Sequence, residues 1–389
     1  MPLGIYISVP FCRTKCSFCN FASGVVSKAV FARYVDRVTS DIAGSDAFAA
    51  GIGARWERAV DSIYLGGGTP TVLEIEQLAR LFDAVRRKFE VAKDAEITVE
   101  CAPGTLTGEM IDTLVRCGVN RVSLGVQSFV DEEARSVGRL HTRAIVLDGI
   151  RRLREAGISN LSIDLIAGLP HQTPESWEYS LAETIGTGAP HVSVYMLEID
   201  EDSRLGKELI AGGTRYHAHF VPDEDTTADL YELACARLNA AGIEQYEISN
   251  FARPGCESRH NLKYWTRAPY LGFGVDAHSM LPAAEGAVRF ATPDTLEEYV
   301  AGKAPSLTTV DRDAAIEEEH FLGLRLNRGI DPAELASRYG SDAEAPFEDA
   351  IEKMIGPGLL ERDEGRVRLT ARGRLLSNEV FQRFLRAPA

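Results

Sequence analysis

Six short β-rich runs separated by stretches of helical periodicity fill the first half of the chain and leave few architectures open. The runs are LGIYISVP (3–10), SIYLGGG (62–68), ITVEC (97–101), RVSLGV (121–126), LSIDLIAG (161–168) and HVSVYMLE (191–198). Between them, LEIEQLARLFDAVRRKF and AIVLDGIRRLREAG repeat apolar residues every three or four positions, as an amphipathic helix does. Gly157 closes the second as a C-cap. Strands that alternate with helices pair in parallel through right-handed crossovers. Periodicity alone leaves two outcomes, a partial TIM-like barrel or a doubly wound sheet.

Beyond residue 198 the pattern loosens. TTADLYELACARLNAAG reads as a helix, and EQYEISNFARPGCESRHNLKYW as a polar, aromatic, loop-like stretch. The tail FEDAIEKMIGPGLLERDEGRVRLTARGRLLSNEVFQRFL reads as a helix, a hairpin turning at RDEG and a final helix, which predicts a small winged-helix-like unit. The divisions expected are 1–215 for the core barrel, 216–304 for an extension, and 305–389 for the C-terminal unit. With 57 acidic against 42 basic residues the net charge is −15. That balance argues against wrapping nucleic acid, so the C-terminal unit is expected to pack or to dock a partner. The opening MPLGIYISVPFC lacks the basic n-region of a signal peptide, and no apolar run approaches the length of a transmembrane helix.

PFCRTKCSFCNF (10–21) follows the first run directly and spaces Cys12, Cys16 and Cys19 as Cys-x3-Cys-x2-Cys. No fourth ligand is near; the nearest histidine in sequence is His141. A closed structural zinc site takes four ligands, and a cubane iron–sulfur cluster takes four thiolates. With three supplied, one iron keeps an open position that can hold a small chelating molecule and pass it an electron. Cys101, Cys117, Cys235 and Cys256 stand singly and read as small buried hydrophobes, not as a disulfide framework. The compartment expected is a reducing cytoplasm.

Function in a barrel collects at the C-terminal ends of the strands. LGGGTP (65–70) follows the second run, where glycines let the backbone approach a ligand that a Cβ would exclude. Glu100 closes the third run, Gln127 follows the fourth and Asp164 lies within the fifth. Such groups are costly to bury without a partner or a ligand.

Phe18, just before the last cysteine, completes a loop that resembles the radical SAM superfamily. IYISVPFCRTKCSFCNF, YLGGGTPT, VSLGVQSF, GRLHT and SIDLIAGLPHQT are together similar to the oxygen-independent coproporphyrinogen III oxidase (HemN-like) family over the whole chain. The resemblance implies an α/β fold: a partial (β/α)6 TIM-like radical SAM barrel with an α+β extension and the winged-helix-like unit. It also implies a 4Fe–4S cluster on Cys12, Cys16 and Cys19, with S-adenosylmethionine on the open iron. By the same match Tyr6, Phe18, Gly67, Gly68, Thr69, Glu100, Gln127, Arg139 and Asp164 stand where the family surrounds that cofactor. Read alone, Arg139 is an exposed charge at a helix edge.

Two features divide the family. Its HemN-type enzymes carry a further cysteine two places after the third and a long extension before the cluster; here Asn20 and Phe21 follow, and eleven residues precede Cys12. HNLKYW (260–265) is similar to the His-Asn-x-x-Tyr-Trp signature of the HemW-type haem chaperones. That branch implies haem held with the help of His260, since imidazole is the commonest axial ligand, beside the flat faces of Tyr264 and Trp265. It implies delivery to an acceptor haemoprotein, unknown from the sequence, with peripheral contact to membrane haemoproteins compatible with it. The rival is an enzyme of porphyrin biosynthesis that converts coproporphyrinogen III to protoporphyrinogen IX by hydrogen abstraction; a zinc-stabilised scaffold is a third. Gly272 and Gly274 offer close backbone approach, with His278 a second haem candidate. His217 and His219 are spaced for one face of a strand. Ala102 departs from the family's Asn-Pro-Gly and removes a polar group from the barrel mouth.

Overall fold

A computed structural model of the chain describes residues 1–385. Strands β1 (Leu3–Val9), β2 (Ala59–Gly67), β3 (Glu90–Cys101), β4 (Arg121–Gln127), β5 (Asn160–Ala167) and β6 (His191–Met196) pair in parallel in sequential order. The connections are α1 (Lys28–Gly51), α2 (Ile75–Lys88), α3 (Gly108–Arg116), α4 (Asp131–Ser136) with α5 (Arg143–Glu155), and α6 (Pro174–Thr187). A doubly wound sheet reverses its strand order at a switch point; this one does not, and the structure is a partial barrel.

Side-chain parity explains why. On one face of the strands stand Leu3, Ile5, Ile7 and Val9, then Ile63 and Leu65, Val122 and Leu124, Leu161 and Ile163, and Val192 and Val194, all fully buried. They share one apolar core with Val35 and Val38 of α1 and Leu81 and Val85 of α2. The opposite face carries Tyr6, Tyr64, Glu100, Ser123, Asp164 and Ser193, where Tyr64 bonds Glu100, and Ser123 and Ser193 bond Asp164. Successive strand residues point to opposite faces, so an apolar shell encloses a polar lumen. A sheet covered by helices on both sides needs both faces apolar.

Six further strands extend the sheet from both edges. Beyond β6 lie β8 (Asn250–Ala252) and β7 (Glu244–Gln245). Beyond β1 lie β9 (Tyr270–Phe273), parallel to it, then β10 (His278–Pro282), β11 (Ala287–Ala291) and β12 (Ser306–Val310), paired antiparallel. Two helices, α7 (Arg204–Ala211) and α8 (Glu224–Ala240), follow β6. The stretch expected as a loop therefore supplies two strands and a helix, α9 (Arg259–Trp265), which the Ser258 hydroxyl caps at the N–H of Asn261. Seven residues are too few for a helical period to show.

The C-terminal helices and the hairpin of β13 (Leu360–Asp363) and β14 (Arg366–Leu369) form a separate apolar core around Leu324, Phe347, Ile351, Val367 and Phe384. The final helix expected there is broken at Leu376 into two short ones. Arg267, almost fully buried, joins this unit to the sheet through Glu318 at 2.7 Å, and Arg289 of β11 meets the same carboxylate at 2.8 Å. Among the described residues no helix is long and apolar enough to cross a membrane.

Candidate cofactor site at the mouth of the barrel

The cysteine loop leaves the C-terminal end of β1 and is stapled on both sides. Cys12 N–H donates to Gly24 O at 3.0 Å, and Ser17 N–H to Val137 O at 3.1 Å. All three thiols are free; Cys16 is buried, and Cys12 and Cys19 are half-buried. Each sulfur faces a donor: Arg139 Nη1 lies 3.5 Å from Cys16, Thr69 Oγ1 3.8 Å from Cys12 and Ser23 Oγ 3.9 Å from Cys19. Burial raises the Cys12 thiol above its ordinary pKa, and the hydroxyls of Thr69 and Ser23 work against that. These donors suit a thiolate bound to iron, whose potential depends on hydrogen bonds to sulfur. Among the described residues no three His, Cys, Asp or Glu side chains converge as ligands of a single ion. A cluster does not require that, because each thiolate meets a different iron. Phe18 packs with Val137, Ile166, Leu169 and Leu197, anchoring the loop to the ends of the later strands.

The glycines after β2 also have a packing role within the chain. Gly68 packs on the cysteine loop itself: its N–H donates to Val9 O at 3.0 Å, and Thr69 N–H to Phe11 O at 2.8 Å. A Cβ on Gly68 would stand 2.6 Å from Val9 O and 2.8 Å from Phe11 O, both backbone atoms that cannot step aside. Gly67 has φ +93°, and a Cβ there would meet Ser8 Oγ at 2.7 Å. The strip seats the cysteines first. Gly68→Ala is expected to lower stability by roughly 1–3 kcal/mol, as overpacking does, and to lower iron content on reconstitution. Denaturant melts together with iron analysis check both, and wild-type values would show that the loop yields.

Below the loop, partly buried residues flanked by fully buried neighbours line the lumen: Tyr6 on β1, Tyr64 on β2, Glu100 on β3, Gly125 and Gln127 on β4, Asp164 on β5. Tyr64 Oη donates to Glu100 Oε1 at 2.8 Å. Desolvation raises Glu100 to about 7, with Asp164 adding to the rise and Tyr64 and Arg121 opposing it. Asp164 accepts from Ser123 Oγ at 3.0 Å and from Ser162 Oγ at 3.3 Å, yet burial still leaves its pKa above the usual carboxylate value. Arg139 is no helix-edge charge. Its guanidinium lies between Gly125 O and Cys16, and its Nε is buried with no hydrogen-bond partner among the described residues. Buried polar atoms are seldom left unpaired, so that N–H is available to an anionic group. Thr69, Ala102, Arg139 and His141 line one cavity of about 200 Å³ at the rim. Ala102 puts a methyl where the family pattern has an amide.

Sequence reasoning missed Tyr64, Tyr195 and the fully buried Arg121, whose charge bears on Glu100, Asp164 and Tyr64. Parity within each run was the signal that could have found them.

His260 is not brought to this end. It sits at the N-terminal end of the strands, 1% exposed, with Nδ1 3.0 Å from Ser62 Oγ and Nε2 2.9 Å from Tyr264 Oη. Its ring lies beside Tyr64 and Tyr6 and closes the lumen floor. Burial and the neighbouring Lys263 lower its pKa to about 3. With both nitrogens engaged, the ring offers no free lone pair to haem iron. The Trp265 ring lies under Arg325 of the C-terminal unit, 4.2 Å from ring centroid to guanidinium. His278 is exposed on β10 beside Asp276. His141 bonds Val126 O, and burial lowers its pKa to about 4. His217 and His219 lie in a turn and a 3-10 segment, not on a strand, because the buried Glu208 carboxylate accepts from the N–H groups of Tyr216 and Ala218 and bends the chain there.

Residues 6–183 match the radical SAM superfamily and residues 310–376 the HemN C-terminal domain. The heme chaperone HemW of Bacillus subtilis is 36% identical over 98% of both chains. The HemW of Escherichia coli is 31% identical over 99% of this chain and 98% of its own. The solved structure of coproporphyrinogen III oxidase (HemN) from Escherichia coli, a radical SAM enzyme, superposes with a TM-score of 0.83 at 27% identity, covering 98% of this chain and 90% of that one. The chain belongs to the HemW family of the radical SAM superfamily.

Proposed function

We infer that the protein binds haem and hands it to acceptor haemoproteins, with a radical SAM centre at the mouth of its barrel. The observation that carries this reading is the end-to-end similarity to HemW chaperones at 36% identity, in a chain with Phe21 where HemN-type enzymes carry a further cysteine. Superfamily membership implies a 4Fe–4S cluster and S-adenosylmethionine. In this reading Cys12, Cys16 and Cys19 hold the cluster, and the bound pair supplies one-electron chemistry beside the lumen. Gly67, Gly68 and Thr69 present backbone to the methionine amino end. Arg139 Nε takes a carboxylate oxygen. Glu100, titrating near neutrality, can donate or accept a proton on the lumen wall opposite Asp164. Tyr6 and Gln127 line the same space, and Phe18 shields the loop.

The seven free cysteines suit a reducing cytoplasm. The acceptor is a haemoprotein that this chain meets at its surface, membrane haemoproteins included. The rival reading is oxidative decarboxylation of coproporphyrinogen III. Reduced, reconstituted protein incubated with that substrate and S-adenosylmethionine is expected to yield no protoporphyrinogen IX, while steady product formation would replace the chaperone with an enzyme.

A further inference from the structure

Three histidines, His171, His217 and His219, gather at the cysteine end of the barrel. His171 lies on the loop after β5 and His217 on the turn before Ala218–Phe220. Their imidazoles meet, His171 Nε2 to His217 Nδ1 at 3.0 Å. Both residues have left-handed backbone, φ +67° and +60°, a region that histidine, like asparagine and aspartate, enters more readily than most residues other than glycine. Each turn is pinned by a buried polar side chain. Gln172 Oε1 accepts from Gly168 N–H at 2.5 Å, and its Nε2 donates to Ile166 O at 3.1 Å. Glu208 holds Tyr216 and Ala218 on either side of His217. The two turns are tied by His171 N–H to Phe220 O at 3.0 Å.

The Phe220 ring, 48% exposed, lies 4.1 Å between centroids from both His171 and His219. Arg215, two residues before His217, is exposed over Tyr216. The cysteine loop is next door: Phe18 packs on Leu169, and Leu205 N–H at the start of α7 donates to Ser17 O at 2.9 Å.

We propose that His217 Nε2 is an axial ligand for haem iron at the barrel mouth, with His171 as its positioning residue. The proposal rests on the haem-chaperone reading above. A histidine ligand normally donates its second ring N–H to an acceptor that fixes its tautomer. His217 Nδ1 meets His171 Nε2 at 3.0 Å; in the tautomer in which Nδ1–H donates, the Nε2 lone pair of His217 has no partner among the described residues. The binding step is the formation of one bond from that lone pair to iron, without proton or electron transfer. A bare divalent ion wants three or four protein ligands, and among the described residues no such trio exists. Haem iron already carries four ring nitrogens and needs only an axial donor. The exposed part of the Phe220 ring supplies apolar surface for the macrocycle, and the exposed Arg215 a cation for a propionate.

The experiment titrates full-length, cluster-reconstituted protein with ferric haem, read by the Soret band and by the electron-resonance signature of imidazole ligation. His217→Asn is the variant of choice, since asparagine tolerates the left-handed turn; cluster absorbance reports that the fold is intact. His217→Asn is expected to lose the imidazole signature and to weaken haem binding roughly tenfold or more. His171→Ala is expected to broaden and shift the signature, and His171→Gln, which keeps an acceptor, to restore it. If wild-type protein binds haem and His217→Asn keeps both signature and affinity within about twofold, the site is wrong while the chaperone reading stands. If wild-type protein binds no haem, both fall together.

Discussion

Cys16→Ser is expected to leave the reconstituted chain without its iron–sulfur chromophore, taking bound iron from about four atoms per chain to nearly none. Cys16 is the buried member of the triad, and Arg139 stands 3.5 Å from its sulfur. A serine oxygen is a poor replacement for a soft thiolate in iron–sulfur ligation. The loop around it holds together by backbone bonds to Gly24 and Val137, so the variant should fold and lose only the metal. Iron and acid-labile sulfide analysis after anaerobic reconstitution reads the result. Cys101→Ala provides the contrast, since that thiol is buried in the apolar shell and should be dispensable for iron. A full iron complement in Cys16→Ser would take the cluster away from this loop.

Glu100→Gln is expected to make the cofactor-free protein more stable at pH 8 and to weaken its hold on S-adenosylmethionine. The unfolded chain releases the Glu100 proton near 4.5, whereas the folded chain keeps it to about 7. Between those values the native state holds the extra proton, so stability falls as pH rises through the window and is level above it. Glutamine removes this cost and can still accept from Tyr64. The gain should be roughly 1–3 kcal/mol at pH 8 and close to nothing at pH 4.5. Urea melts at the two pH values measure it; an equal gain at both would mean that Glu100 carries no displaced proton. The sulfonium of S-adenosylmethionine favours the ionised carboxylate, so affinity for it should rise as pH passes 7 in the wild type and stay flat in the variant. Functional sites commonly trade stability in this way.

The six barrel strands were legible because each is a short β-rich run bounded by amphipathic helices. The choice between a barrel and a doubly wound sheet was also written in the chain, although run-level reading passed over it. In β3, Ile97, Val99 and Cys101 alternate with Glu96, Thr98 and Glu100, and only a polar lumen accommodates that second set. The cysteines were legible from their spacing, which is local. Tyr64, Arg121 and Tyr195 were not, because each comes from a different strand and only the register brings them to one wall. HNLKYW was visible as a motif, but its direction was hidden: Glu96 accepts from the N–H groups of Arg259 and His260 and turns α9 toward the floor. The parity argument for His217 and His219 failed for a similar reason, since it presumed an extended chain that Glu208 does not allow.

The floor of the lumen has a consequence for how the chain can be divided. His260 and Tyr264 lie more than sixty residues beyond β6 in the chain, so the base of the barrel is closed by a segment outside its six strands. An N-terminal fragment ending before α9 would lack His260 and Tyr264 and so leave the base of the lumen uncovered.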